Sequence, residues 1–235
     1  MKPKHLVLLF VALLIVLAVA ALCSRPDSLP ERANDHPLTA TTETTSRQAA
    51  TEKPLPRGLH MPPVATPHTG SPKYDRSAWQ HWIDEDVDCQ DTRQEVLIAE
   101  SRVPVSFAGD KACRVAAGQW FDEYTGQTFT DPSDVDIDHL VPLENAHKSG
   151  GWDWAADRRR AYANDLAHPE ALIAVRDSVN QAKGSDGPEA WRPPRREYWC
   201  DYATAWVTVK TRWSLTVTVP ERDALVTMLA ACPAE

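Results

Sequence analysis

The chain has 235 residues, a formal net charge of −8 and a hydrophobic content of 43%. That length allows one or two domains, and the apolar content is enough for a packed core, so a fully disordered chain is excluded. The acidic balance also excludes a polybasic nucleic-acid binder of the histone type. An enzyme that contacts nucleic acid only locally is compatible with this composition.

The N-terminal residues 1–22 carry a targeting pattern, because a basic start precedes an unbroken apolar run of 17 residues at 6–22. This pattern is typical of a signal peptide, and Ala18-Val19-Ala20 offers a small-x-small cleavage site. Seventeen residues barely span a bilayer, so an uncleaved membrane anchor is the alternative. Cys23 gives a weaker indication of lipidation. All three interpretations export the rest of the chain, which would contact a membrane only through this segment.

Residues 23–75 are predicted to form a disordered, Pro/Thr-rich linker. The stretch 24–75 contains nine prolines, a Thr/Ser cluster and equal numbers of acidic and basic residues. Such a composition buries too little apolar surface to offset the entropy lost on ordering. The folded domain is therefore expected at 76–235, where all nine tryptophans lie.

Within the folded domain, apolar spacing predicts an α+β fold in which helices dominate a small antiparallel sheet. Asp153 and Thr218 are expected to cap the third and the last helix, the latter through a capping box with Glu221. The predicted helices cover residues 91–101, 144–149, 154–166, 177–183, 197–213 and 219–231. The predicted strands lie in a hairpin at 113–130 and at 135–141 and 171–175.

Four of the five cysteines lie in the folded domain. An even set in an exported domain favours disulfides, and the lack of a Cys-x-x-Cys pair argues against a structural zinc site. Of the three pairings that four cysteines allow, we favour Cys89–Cys113 and Cys200–Cys232, because each closes a local loop. The second bond would join the last two helices.

Two short polar segments carry the chemistry. The first, Asp136-Ile137-Asp138-His139-Leu140-Val141-Pro142, ends a predicted strand. Neighbours on a strand point to opposite faces, so Asp138 and His139 reach one site only where the strand ends or bends, and Pro142 supports such an end. The second, Asn180-Gln181-Ala182-Lys183-Gly184, lies on the helix after the next strand. The chain order is therefore strand, strand, helix.

This ordered set resembles the HNH endonuclease family, whose fold is the ββα-metal finger. It is particularly similar to an exported bacterial group related to the C-terminal domain of the GmrSD restriction enzymes. The similarity also takes in Tyr124-Thr125-Gly126 and covers roughly residues 82–232. It implies a ββα-metal core embedded in helices, with disulfides in place of zinc knuckles. It also implies an endonuclease that acts on DNA, or on RNA as well.

The same resemblance assigns roles to three residues. His139 is expected to be the general base that activates water, since a neutral imidazole suits that role near neutral pH. Asp138 and Asn180 are expected to hold one divalent metal ion through hard oxygen donors. Mg²⁺ is the first expectation, with Mn²⁺ or another divalent cation as the alternative, and the ion would stabilise charge at phosphorus.

Four further residues are expected to support the site. Asp136 and Asn164 would orient the ligands from behind, although Asn164 could equally end a helix. Lys183 and Arg176 would contact substrate phosphate. For Lys183 an interaction with the negative end of its helix is about as good an interpretation.

Other classes of function compete with a nuclease. One is a catalytically inactive HNH-like module, tethered to the cell envelope, that binds nucleic acid or a protein partner. Another is a structural protein of the wall or membrane. The intact set Asp138, His139 and Asn180 argues against the first, and the lack of a His-Glu-x-x-His motif argues against a metallopeptidase. No sequence feature indicates an oligomer.

Overall fold

A computed structural model describes residues 55–56 and 58–233 of the chain. The predicted signal peptide or anchor at 1–22, and the predicted linker as far as residue 54, lie outside these residues. The described residues fall within one compact unit, Ala50–Glu235. None of their helices has the length and apolar character needed to cross a membrane.

The described chain is α+β, as predicted, with six α-helices and six short strands. The strands form three separate antiparallel pairs, β1 with β2, β3 with β4 and β5 with β6, where the sequence predicted one small sheet. The helices are α1 (Thr92–Glu100), α2 (Leu143–Lys148), α3 (Ala156–Ala163), α4 (Asp177–Lys183), α5 (Trp199–Arg212) and α6 (Val219–Leu229). The strands are β1 (Ser106–Phe107), β2 (Val115–Ala117), β3 (Trp120–Asp122), β4 (Gln127–Phe129), β5 (Val135–His139) and β6 (Leu172–Arg176).

Local sequence signals set most helix ends. Asp91 caps α1 by accepting a hydrogen bond from a backbone N–H, and Thr218 and Glu221 form the predicted capping box of α6. Helix α4 ends at Gly184, whose φ of 54° lies in the left-handed region that glycine tolerates. The predicted cap Asp153 was wrong, because this residue ends a separate 3₁₀ turn and α3 starts only at Ala156.

Strands β5 and β6 form an antiparallel pair on which α4 packs; we call this pair the hairpin, although α2 and α3 lie in the connection between its strands. His139 lies opposite Leu172 at one end of the hairpin, and Val135 lies opposite Arg176 at the other. Because side chains alternate along a strand, Asp136 and Asp138 share the face that α4 covers, whereas Ile137 and His139 share the opposite face. The predicted order of strand, strand and helix is thus present.

Two hydrophobic clusters hold this hairpin on both faces. The larger one contains Trp206 of α5 and Leu225 of α6 together with Val175 of β6. The smaller one contains Leu97 of α1 and Trp120 of β3 together with Ile137 of β5. Dense packing on both sides restricts the movement of the strand end that carries His139.

Residues 58–76, which we call the N-terminal strap, run along the folded part. Val64 forms an isolated parallel β-bridge with Val217, and the backbone oxygen of Pro72 accepts a hydrogen bond of 2.8 Å from His147 Nε2. The sequence placed the domain boundary at residue 76, whereas the structure packs the strap against the domain. Composition gave no sign of this because the strap is held by backbone hydrogen bonds and scattered apolar contacts rather than by a periodic pattern.

Both predicted disulfides are present. Cys89–Cys113 links the loop before α1 to the β1–β2 connection, and Cys200–Cys232 links the start of α5 to the chain after α6. The bonds close loops with sequence separations of 24 and 32 residues. On the chain-entropy model each contributes about 3–4 kcal/mol by restricting the unfolded chain.

Candidate active site

A pocket of about 360 Å³ opens where β5 ends, beside the C-terminal end of α4. It brings together three of the predicted site residues, Asp138, His139 and Asn180. The remaining lining residues come from the strap, from β5, from α2 and the turn before it, and from the end of α4. They are Tyr74, Arg76, Ile137, Pro142, Leu143, Glu144, Gly184 and Ser185.

His139 is buried, with 7% of its surface exposed, and one of its ring nitrogens is fixed. Its Nε2 lies 2.9 Å from the carbonyl oxygen of Ala163, which can only accept, so Nε2 carries the proton. The lone pair therefore lies on Nδ1, which makes no hydrogen bond within the described chain. Burial lowers the pKa of His139 to about 3, with His81 and Arg76 acting in the same direction. The imidazole is therefore neutral at physiological pH, and burial makes it a weaker base than an exposed histidine.

Trp82 covers His139. The two rings stack with centroids 5.3 Å apart, and Trp82 adopts a φ of 56°, a conformation that side chains other than glycine rarely adopt. Asn164 holds this loop, since its Oδ1 accepts hydrogen bonds from Ile83 N and Thr92 Oγ1 and its Nδ2 donates to Gln80 O. Asn164 thus supports the loop that places Trp82 on His139, and none of its hydrogen bonds within the described chain reaches a predicted metal ligand.

Asp138 forms a buried ion pair with Lys183. The lysine Nζ lies 2.9 Å from Oδ1 and 2.7 Å from Oδ2, and the Tyr124 hydroxyl donates to Oδ2 at 2.6 Å. Burial raises the pKa of Asp138, which Lys183 partly offsets, and burial lowers the pKa of Lys183. Both ions are stable there only because they neutralise each other.

The ammonium of Lys183 also donates to the backbone oxygen of His139 at 3.0 Å, and its side chain is 0% exposed. All three of its protons are therefore used inside the protein. This geometry does not support the predicted contact with substrate phosphate. It makes Lys183 a link between the end of α4 and the end of β5.

Asn180 lies one helical turn before Lys183 and faces the same strand. Its Nδ2 donates to Asp136 Oδ2 at 3.2 Å. That bond fixes the amide so that Oδ1 is the atom left for a ligand in the pocket. Asp136 is not itself among the lining residues, and the orienting role expected of it stays a prediction.

The pocket lining contains the types of oxygen donor that a hard divalent cation prefers. Asp138, Asn180 and Glu144 offer carboxylate or amide oxygens, the ligands that Mg²⁺ prefers. Lys183 and Tyr124 use three of the roughly four acceptor positions of the Asp138 carboxylate, which leaves one. Glu144 is paired with Lys148 at 2.6 Å. Such a set suits an ion that has few protein ligands and keeps several waters.

Arg176 lies away from this pocket. It pairs in register with Val135, at the end of the hairpin opposite His139, about 13 Å along the strand at the usual rise per residue. Its guanidinium donates to Gln127 Oε1 at 3.3 Å. The predicted phosphate contact of Arg176 would therefore have to be made at a distance from the pocket.

An exposed acidic cluster lies outside the pocket, on the loop before α1. Ligand atoms of Asp84, Asp86 and Asp88 lie within 4.8 Å of one another. With Glu95 they occupy positions 1, 3, 5 and 12 of the twelve-residue calcium-loop pattern, with Cys89 where that pattern has glycine. Exposed carboxylates often cluster without an ion, and we assign this cluster no role.

Several pocket neighbours were not predicted from the sequence. Tyr74 and Arg76 lie on the strap or its end, next to the boundary that composition suggested. Trp82 belongs to no motif in the sequence, and Glu144 was predicted only as the first residue of a short helix. Tyr124 did belong to a quoted motif, Tyr-Thr-Gly, but the sequence explained it as a hairpin turn rather than as a partner of a carboxylate.

Comparison with known proteins then identifies the family. A profile described as the C-terminal domain of GmrSD restriction endonucleases matches residues 91–228, which is more than half of the chain. The chain belongs to this family. The GmrSD C-terminal domain match starts at the cap of α1 and includes Asp138, His139 and Asn180. It makes the chain a nuclease-related protein, as the sequence resemblance implied.

A relative extends the similarity beyond the matched domain. An uncharacterized secreted protein of Arthroderma benhamiae (strain ATCC MYA-4681 / CBS 112371) is 45% identical over 184 residues, which cover 78% of this chain and 86% of the relative. No solved structure matches the chain. The similarity to the GmrSD C-terminal domain family and to this relative is therefore a similarity of sequence.

Proposed function

We propose that the chain is an exported, metal-dependent HNH endonuclease that hydrolyses phosphodiester bonds of DNA. The observation that carries this proposal is the meeting of His139, Asp138 and Asn180 at one pocket in a member of the GmrSD C-terminal domain family. The hairpin and α4 that carry them have the strand, strand, helix order of the ββα-metal finger.

His139 would act as the general base. Its proton on Nε2 is held by Ala163, so Nδ1 can take a proton from a water molecule that attacks phosphorus. Stacking on Trp82 and dense packing of the strand end keep the ring in one orientation. A fixed ring saves the entropy of orienting the base for each turnover.

Asp138 and Asn180 would hold the divalent ion through one carboxylate oxygen and the amide Oδ1. When bound, such an ion neutralises charge on the phosphate and stabilises the departing 3′-oxygen. Asp136 keeps the Asn180 amide in the required orientation. Lys183 keeps the carboxylate of Asp138 in place from the buried side.

Export is supported by two observations. Disulfides such as these two are typical of an oxidising compartment, and the Arthroderma relative is described as secreted. The apolar segment 6–22 would direct export, either as a cleaved signal or as an anchor.

A plasmid assay tests this proposal. The full chain, with disulfides intact, is incubated with supercoiled plasmid and Mg²⁺, in parallel with EDTA and with His139→Ala. We expect nicking that disappears in both controls, because EDTA removes the divalent ion and His139→Ala removes the general base. Nicking that persists at the wild-type rate in His139→Ala would reject this residue as the base.

A second candidate function is a nucleic-acid-binding module that does not cleave. The hydrogen bonds from Lys183 and Tyr124 to Asp138 favour it, because they use carboxylate acceptor positions that a metal ion would need. This alternative predicts that fluorescence anisotropy detects DNA binding that survives His139→Ala, with no cleavage in Mg²⁺ or Mn²⁺.

A further inference from the structure

Arg76 is the cation that borders the pocket. Among the lining residues, all within the described chain, it alone carries a permanent positive charge. It lies at the end of the N-terminal strap, fifteen positions before the first residue that the family profile matches. Neither the motif nor the family therefore assigns it a role.

The guanidinium of Arg76 has donors to spare. Its Nη2 lies 3.3 Å from His81 Nε2 and the group also hydrogen-bonds the Tyr74 hydroxyl, but it makes no ion pair within the described part of the chain. The neighbouring lysines already form ion pairs, Lys183 with Asp138 and Lys148 with Glu144. Of Arg76, Lys148 and Lys183, only Arg76 therefore has no carboxylate partner that would compete with an anion.

The strap holds Arg76 at this place. Pro72 is fixed by His147, and the ring of Tyr74 packs edge-on against the same histidine with centroids 5.6 Å apart. Asp75 then caps the 3₁₀ turn that starts at Arg76, accepting from Ser77 N at 2.9 Å. The backbone that presents the guanidinium is thus anchored to α2, one wall of the pocket.

We propose that Arg76 binds a phosphate group of the substrate and that the strap is part of the active site. A planar guanidinium with free donors recognises phosphate oxygens through paired, charge-assisted hydrogen bonds. This role of Arg76 rests on the proposed function, because it takes the nucleic-acid backbone as the ligand of the same pocket.

The test compares Arg76→Gln and Arg76→Lys with Lys73→Gln, an exposed cation on the same strap that does not line the pocket. Initial cleavage rates of a fluorescein-labelled DNA duplex in Mg²⁺ give kcat/KM for the full chain. Anisotropy in EDTA with the same duplex, in a His139→Ala background, gives Kd at several salt concentrations.

We expect Arg76→Gln to lower kcat/KM about tenfold or more and to reduce the slope of log Kd against log salt by about one phosphate contact. Arg76→Lys should recover part of the loss, and Lys73→Gln should stay within about twofold of wild type. Wild-type cleavage and an unchanged salt slope in Arg76→Gln, with His139→Ala inactive, would overturn this role and leave the nuclease intact. If the wild type does not cleave, the proposed function fails, and anisotropy alone decides whether Arg76 binds phosphate.

Discussion

Replacing Lys183 by Met tests whether this residue is structural or binds substrate. The change keeps most of the side-chain volume but leaves the carboxylate of Asp138 buried without its counter-ion. Asp138 is 5% exposed and the lysine side chain is 0% exposed, so solvent cannot compensate. Removing one partner of a buried pair typically costs 3–5 kcal/mol. For a domain of this size that corresponds to a fall in Tm of roughly 6–20 °C.

The assay is thermal unfolding followed by circular dichroism, with Lys148→Met as the matched control. Lys148 also forms an ion pair, with Glu144, but its side chain is 58% exposed, so its loss should cost at most about 1 kcal/mol. A Lys183→Met protein that keeps the wild-type Tm while losing affinity for DNA would refute the structural role. It would restore the phosphate contact that the sequence predicted.

The pH dependence provides a second check on the same variant. Burial already raises the pKa of Asp138, and loss of Lys183 raises it further, so the folded variant binds a proton more tightly than the unfolded chain does. Its stability therefore falls as pH rises above the unfolded pKa of Asp138 and levels off above the folded one. The difference in Tm from wild type should be smaller at pH 5 than at pH 8.

Three further predictions concern other parts of the molecule. Asn180→Ala should raise the Mg²⁺ concentration needed for half-maximal nicking, and an unchanged titration would remove Asn180 from the ligands. Burial raises the pKa of Glu100 to about 7, so the wild type should lose at most about 3 kcal/mol of stability as the pH rises from about 4.5 to 7. Glu100→Gln has no carboxyl group to ionise and should not show this loss. Equal pH profiles for the two proteins would contradict this. Cys200→Ser with Cys232→Ser should lower Tm in denaturation scans, whereas an unchanged Tm would show that the bond adds no stability.

Local patterns explain why much of the fold could be predicted from sequence. The cap at Asp91, the capping box at Thr218 and the stop at Gly184 act within one helical turn, so a single sequence contains all that decides them. The Cys89–Cys113 pair likewise depends on a short loop. The order of β5, β6 and α4 followed from apolar runs separated by turn residues.

Long-range packing explains what could not be predicted. Tyr124 and Lys183 meet at Asp138 from positions 14 and 45 residues away, and no periodicity in the chain encodes that meeting. The strap is held through backbone oxygens, such as that of Pro72, which every residue has. The sequence therefore indicates which polar residues lie around the pocket, but not that Lys183 faces Asp138 instead of the pocket.

The position of Lys183 also affects how strongly the proposed metal site would bind a cation. A positive ammonium at 2.7 Å and 2.9 Å from the Asp138 oxygens repels any ion that uses the same carboxylate. Without it, Asp138 regains acceptor positions and needs a new counter-charge, which a divalent ion at the pocket would provide. Mg²⁺ should therefore raise the Tm of Lys183→Met by more than it raises that of the wild type, with half-saturation at a roughly tenfold lower concentration. The same titration on Lys183→Met with Asp138→Asn is the control, since the carboxylate is then absent. Equal Mg²⁺ responses in all three proteins would mean that Asp138 holds no metal, and the pocket would then have to act through Asn180 and Arg76 alone.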